Sequence, residues 1–558
     1  MGIPFCLRRC TRVVAALVIL LVAGCGGGGS GGGDSGGNSG GDSSGGGNNS
    51  GGAGTANGLA LLAWNDLGMH CLDKDFAVFS LLPPFNNLHA QLVDRTTGRV
   101  VDSGVDVSYE STVDEHGSVN TYSTGKVNFW QFAQTLYGAP VDLADNVGLT
   151  GFPMASSTPA AMQWNPDHGW YEAPGIPITP YDDARKTNHY PMVKVVARAG
   201  GNATVLASAR VVLPVSDEMS CVTCHASNSV AAAKPGAGWV NEADPQRDWR
   251  LNILRLHDDH RKTRLFASAT SGTPVLCASC HASNALPGSG QPGLPALTSA
   301  IHGFHAHVID PSTSHTLDAA TDRSACYSCH PGSQTKCLRG AMSNVVDAKG
   351  NSLISCQSCH GNMSAVGDPQ RQGWLEEPAC QSCHFDGQRT LSVFEGNGNV
   401  RAPLDDTFAS NPDTPAPGFD LYRFSTGHGD LQCEACHGAM HAIYPSDEAN
   451  DNVLARDLQG HAGTIAECSA CHAQVPVTTS DGPHGLHTTG QTWVSRHPQA
   501  AGRDHTACAY CHGSDYRGTA LSATAVARSF SGEGLPRTFP AGHRFGCYDC
   551  HNGPNGGD

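Results

Sequence analysis

The chain has 558 residues, with 34 Lys and Arg against 50 Asp and Glu, a formal charge of −16. That balance excludes the basic footprint of a nucleic-acid binder, and the length allows more than one folded core. The 23 cysteines and 28 histidines decide the reading. So many cysteines in so long a chain do not make a small disulfide scaffold; their spacing must say which metal or cofactor they serve.

Arg8, Arg9 and Arg12 form a basic start ahead of an apolar run of 12 residues from Val13 to Gly24, too short to cross a bilayer. The run ends in Leu21-Val22-Ala23-Gly24-Cys25, which resembles the lipobox of bacterial lipoproteins. Residues 1–24 then read as a signal peptide and Cys25 as the acylated residue, the plain alternative being an ordinary signal peptide that contains a cysteine. Two or three acyl chains anchor stably where one is marginal. Gly26 is not the aspartate that often retains lipoproteins in an inner membrane, which favours the outer membrane. Three of the 34 basic residues and none of the 50 acidic ones leave with the peptide, so the mature charge becomes −19. Residues 25–58 are the lipid-bearing cysteine and a Gly/Ser-rich linker; its 33 residues from Gly26 to Gly58 reach roughly 30 Å as a flexible coil.

Residues 59–216 contain no CxxCH and read as β. Leu88 to Val93 and Gly104 to Tyr109 alternate in part. Met192 to Ala199 and Ala203 to Leu213 are Val-rich and flank Gly200-Gly201-Asn202, a hairpin signal. The expectation is a β-sandwich-like domain, with Trp64, Trp130, Trp164 and Trp170 in its core or rim.

From residue 217 to 558 the texture changes: helical patterns are short, and Gly and Pro are scattered. One helix is signalled by Asp244-Pro245, a cap followed by proline at the first helical position, with Trp249, Ile253, His257 and His260 on one face. A second runs through Leu297, Ile301 and His305.

This region holds nine CxxCH motifs. They are Cys221, Cys224, His225; Cys277, Cys280, His281; Cys326, Cys329, His330; Cys356, Cys359, His360; and Cys380, Cys383, His384. The series continues with Cys433, Cys436, His437; Cys468, Cys471, His472; Cys508, Cys511, His512; and Cys547, Cys550, His551. Two thiols three residues apart reach the two vinyl groups of one haem and form thioethers, and the adjacent histidine turns under the ring to ligate iron; CxxCH is the c-type haem attachment signature. Zinc ribbons instead close one CxxC on another and need no histidine after the second cysteine, and nine motifs do not divide into pairs. A thioredoxin-like redox CxxC lacks its βαβ context here.

With these motifs, residues 217–558 resemble the multihaem c-type cytochromes that carry electrons in anaerobically respiring bacteria. The resemblance implies nine covalent haem c groups with their iron. It also implies an irregular fold of mainly short helices and loops around stacked haems, preceded here by the β-rich domain. One β domain before one nine-haem block departs from the surface decahaem type, which alternates β and pentahaem domains.

Fourteen non-motif histidines lie in the same region, more than nine sixth positions require. Candidate distal ligands are His257, His260, His302, His305, His428, His441, His461, His484, His487, His497, His505 and His543; His307 and His315 complete the set. Outside the motifs and the first 25 residues only Cys71 and Cys337 remain. A disulfide between them is the plain reading in an oxidising compartment; a free thiol, or Cys337 as an unusual haem ligand, is the alternative.

At about 38 residues per haem the rings must lie close together. The expected function is an electron carrier that serves redox partner proteins or an extracellular acceptor and has no catalytic residue. The alternative is a reductase or oxidase of a small nitrogen or sulfur substrate at one open haem. An acidic surface favours basic partners. We expect the mature protein to exceed its lipidated polypeptide mass by nine haem masses; an excess of seven or fewer in intact mass spectrometry would remove the assignment.

Overall fold

The computed structural model describes residues 55–56, 58–371, 380, 383, 400, 422–478, 482–531 and 536–554. The signal peptide, Cys25, the linker before Thr55 and His384 lie outside the described residues.

Leu59–Asn65 is apolar up to Trp64 and pairs antiparallel with Asn86–Asp94, Leu61 opposite Leu92 and Ala63 opposite Ala90. The sheet continues through Trp170–Ile176 to Gln163–Asn165, with Thr55–Ala56 on the other edge and Arg99–Val100 on the end of Asn86–Asp94. A second antiparallel sheet runs in the order Val205–Val212, Met192–Ala199, Val105–Ser111, Ala160–Ala161. Gly201, at φ +73°, turns the hairpin between Met192–Ala199 and Val205–Val212, a conformation glycine adopts without strain. Leu61, Trp64, Leu92, Tyr109, Val195 and Ala209 belong to one apolar cluster that joins both sheets. The same cluster continues into Leu431, Ala435, Leu454, Ile465 and Ala470. This explains the unbroken apolar run from Leu59 to Trp64: a strand covered on both faces loses its alternation.

Beyond the sheets, helices are short. Pro245–Arg261 starts where Asp244 accepts a bond from the Gln246 amide at 2.8 Å, and it ends at Lys262 in the left-handed region. It buries Trp249, Leu251 and Leu254. Leu297–His305 and Gln491–Asp504 follow, the latter with Pro498 inside it. Phe129–Tyr137 is a helix within the β-rich part, where Phe129 packs edge-on against Phe76.

Several contacts lock the sheets to the motif-bearing segments. Phe79–Ser80 pairs in parallel with Val275–Leu276, which leads directly into Cys277. Arg210 grips Asp457 with two bonds of 2.9 and 2.7 Å. Arg339 grips Asp451 with two of 2.7 Å, and both side chains are 2% exposed. Removing one partner of a buried pair strands the other charge. We expect Arg339→Ala to destabilise the protein by about 3–5 kcal/mol in urea unfolding; a loss below about 1 kcal/mol would mean that the pair behaves as a solvated surface bridge.

Candidate functional site

The CxxCH segments share one local shape. In six of them the first cysteine's carbonyl accepts bonds from the amides of both the second cysteine and the histidine, as in Cys221–His225 (3.3 and 3.0 Å) and Cys326–His330 (3.1 and 2.9 Å). The others of this kind begin at Cys277, Cys356, Cys468 and Cys547. Cys433–His437 and Ala509–His512 are helical turns, and Cys383 bonds back to Cys380 at 3.2 Å. One helical turn puts residues three apart on the same side, so both thiols face one way and the histidine projects beside them.

Each of the eight described motif histidines faces one non-motif histidine. The ring centroids are 6.3 Å apart for His225 and His305, 6.5 Å for His281 and His257, and 6.0 Å for His330 and His302. They are 6.1 Å apart for His360 and His441, 5.9 Å for His437 and His484, and 6.1 Å for His472 and His428. His512 faces His487 at 6.1 Å, and His551 faces His497 at 5.8 Å. An imidazole binds a metal at roughly 2 Å, so two on opposite sides of one ion place their ring centroids about 6 Å apart. The eight gaps have that width.

The other ring nitrogen is tied back in most of these residues. Nδ1 lies 2.9 Å from the Thr298 carbonyl in His302, 2.8 Å from Ile301 in His305, 2.9 Å from Thr488 in His487 and 2.9 Å from Val494 in His497. In His441 it lies 2.7 Å from the Leu67 carbonyl, and in His257 2.9 Å from the Thr263 hydroxyl. On the motif side, His281, His512 and His551 bond to the carbonyls of Pro295, Phe545 and Gly553. A carbonyl only accepts, so Nδ1 is the donor there, and in the neutral tautomer this selects, Nε2 is the nitrogen with the lone pair. Burial, reinforced by the facing histidine, holds the rings of His225, His330 and His437 down at about 4 and that of His360 at about 3. These rings are neutral at pH 7, as ligation requires.

The remaining candidates are placed elsewhere. His461 and His543 direct Nε2 at the carboxylates of Glu467 and Asp549, at 3.5 and 2.9 Å. His260 faces Phe304, and His505 faces Tyr516. Among the described residues, no motif histidine faces these four. Cys71 and Cys337 are half-buried and within electrostatic reach of each other, as unbridged thiols.

The donor set fits a haem better than a bare ion. Among the described residues no three His, Cys, Asp or Glu side chains converge as a metal cluster; a haem iron takes only axial ligands from the protein. Burial pushes the thiols of Cys221, Cys277 and Cys436 up to about 12, so they are neutral thiols at pH 7. Val222, Ile301, Phe304, Tyr510 and Tyr548 stand exposed within the motifs or beside the paired histidines, apolar surface suited to a flat apolar ring. Arg250 is fully buried beside Cys221, yet its Nε and Nη2 have no partner, a cation suited to a carboxylate such as a haem propionate.

The pairs adjoin one another. His302 and His305 sit on one helix three residues apart, joining the His330 and His225 pairs. Cys221 lies within electrostatic reach of Cys277, joining the His225 and His281 pairs. His330 lies within reach of both His302 and His441, joining its pair to that of His360. His441 is four residues from His437, and His484 three from His487; His487 in turn feels His497. His428, which faces His472, precedes Cys433 by five residues. Three to five residues span at most about 10–18 Å of chain. The eight pairs therefore form a connected set in which His437–His484 adjoins three others.

Neither family models, nor curated proteins, nor solved structures show a match to this chain.

Four pairs have nearly parallel ring planes, at 15° for His302–His330, 24° for His360–His441, 7° for His487–His512 and 12° for His497–His551. His225–His305 and His257–His281 cross at 77° and 81°. Crossed imidazoles make the two iron π orbitals nearly equal in energy, whereas parallel ones split them. We expect the oxidised protein to show two low-spin classes in electron paramagnetic resonance, one rhombic and one strongly anisotropic. A single rhombic class would contradict the crossed pairs.

Proposed function

We propose that this protein is a multihaem c-type cytochrome that conducts electrons between redox partners. The observation that carries this reading is the set of eight facing histidine pairs, each joining one CxxCH histidine to one histidine outside the motifs. When bound, haem supplies one-electron centres along the chain of pairs. The chain's own residues do the rest: cysteine pairs fix each ring, and backbone carbonyls hold the histidines in the ligating tautomer. Short helices such as Leu297–His305 hold two pairs side by side. The connected set gives a branched path, with an arm through His360, His330, His225 and His281 meeting a junction at His437–His484. From there one branch passes to His472, and another to His512 and His551.

Lipid on Cys25 tethers the protein to the outer membrane in this reading. The acidic surface favours basic partners and makes docking dependent on ionic strength.

Two histidines on each of the eight irons of the described pairs, and on the His384 iron as this reading extends it, leave no open position. We expect carbon monoxide to leave the spectrum of the reduced protein unchanged. Binding at one ninth of the haem content would instead mean an open haem, and the protein would then be read as a reductase or oxidase with that haem as its active site.

A further inference from the structure

Asn65-Asp66-Leu67-Gly68-Met69-His70-Cys71 lies in the β-rich part, far in sequence from every CxxCH. Its interior is fully tied down. Asn65 donates to the Val212 carbonyl at 3.3 Å and accepts from the Gly68 amide at 2.7 Å, which closes a tight turn. Asp66 accepts from His70 at 2.9 Å and from Asn87 at 2.8 Å. Gly68 has φ +80°, which only glycine adopts without strain, and its carbonyl accepts from Arg339 at 2.5 Å.

The turn presents one group to the motif region. The Leu67 carbonyl accepts from His441 Nδ1 at 2.7 Å, across 374 residues. The corresponding bonds of His302, His305, His487 and His497 go to carbonyls one to four residues away. Gly68 also packs on His441: a Cβ there would lie 3.2 Å from His441 Cβ and 3.2 Å from the Ala442 nitrogen.

We propose that the Asn65–Cys71 turn positions His441 and sets the reduction potential of the iron held between His441 and His360. The inference rests on the haem reading above. A carbonyl that accepts from Nδ1–H makes the ring a stronger donor to a metal and fixes its plane. Stronger donation favours the oxidised iron and lowers the potential. The His360–His441 pair lies between the His330 pair and the His437 junction, so its potential governs passage from one arm to the others. The β-rich part thereby tunes one node of the path.

The test is a spectroelectrochemical titration of the haem-loaded, full-length protein, with haem content measured alongside. Gly68→Ala strains the turn and presses on His441. Asn65→Ala is milder and removes only the bonds that hold the turn. Gly117→Ala is the control: Gly117 has φ +81° with nothing beyond its chain neighbours within 4 Å of a Cβ, so it carries the backbone strain without touching any of the paired histidines. We expect all three variants to retain the wild-type haem content. About one ninth of the α-band amplitude should move to higher potential in Gly68→Ala and Asn65→Ala, and none in Gly117→Ala. Wild-type titration curves in a fully loaded Asn65→Ala would overturn the proposal, as would an equal shift of all haems or the same shift in Gly117→Ala. Should Gly68→Ala fail to accumulate, Asn65→Ala decides alone. A wild-type protein without low-spin haem would instead reject the underlying reading, before any variant is compared.

Discussion

Two neutral imidazoles must be held about 6 Å apart, facing each other, with no protein between them. The rest of the structure depends on that constraint. A gap of this kind has no packed core to define it, so its width is set by what stands behind each ring. Backbone carbonyls behind Nδ1 do this at His302, His305, His441, His487 and His497. The buried apolar residues inside the described motifs, among them Ala278, Ala435 and Ala470, are small. Small residues let the backbone approach closely and would leave volume for a ring.

The sheets act as the rigid wall against which one part of this arrangement is built. Gln91 donates to the Asp430 carbonyl and accepts from the Gln432 amide. Arg95 donates to the Ser469 carbonyl, and its own carbonyl accepts from Ala473. Gly98, at the tip of the turn after Asn86–Asp94, sits so close to His472 that a Cβ would lie 2.9 Å from Cε1. The segment from His428 to His472 is thus held on the β-rich part along its length, and it contains the junction pair's His437. A shared apolar cluster, rather than a hinge, connects the two regions.

Local backbone shape was legible in the sequence and the long-range pairing was not. The motifs, the Asp244-Pro245 helix start and the hairpin at Gly200-Gly201-Asn202 are each encoded within a few residues. The pairing of His360 with His441, or of His437 with His484, depends on how the chain returns after dozens of residues, and no local signal carries that. Nearness in sequence did not separate the histidines that face a described motif histidine from those that do not. His461, His505 and His543 each precede a CxxCH by seven residues or fewer, yet they face Glu467, Tyr516 and Asp549. His428 and His441 flank the Cys433 motif and face the histidines of two others. The helix Gln491–Asp504 was hidden by Pro498 and Gly502, which lower local propensity. Phe129–Tyr137 was hidden because its aromatic residues read equally well as strand. The Asn65–Cys71 turn stood out as unusual, but its role is visible only once His441 is brought against Leu67.

The central claim is that paired histidines hold the irons of a multihaem protein. Near-infrared magnetic circular dichroism of the fully oxidised protein reads axial ligands directly, because the charge-transfer band of low-spin ferric haem shifts with ligand type. The account requires the histidine–histidine band to carry the intensity of at least eight haems per chain. A spectrum dominated by histidine–methionine or high-spin bands, or one with no haem band, would contradict it.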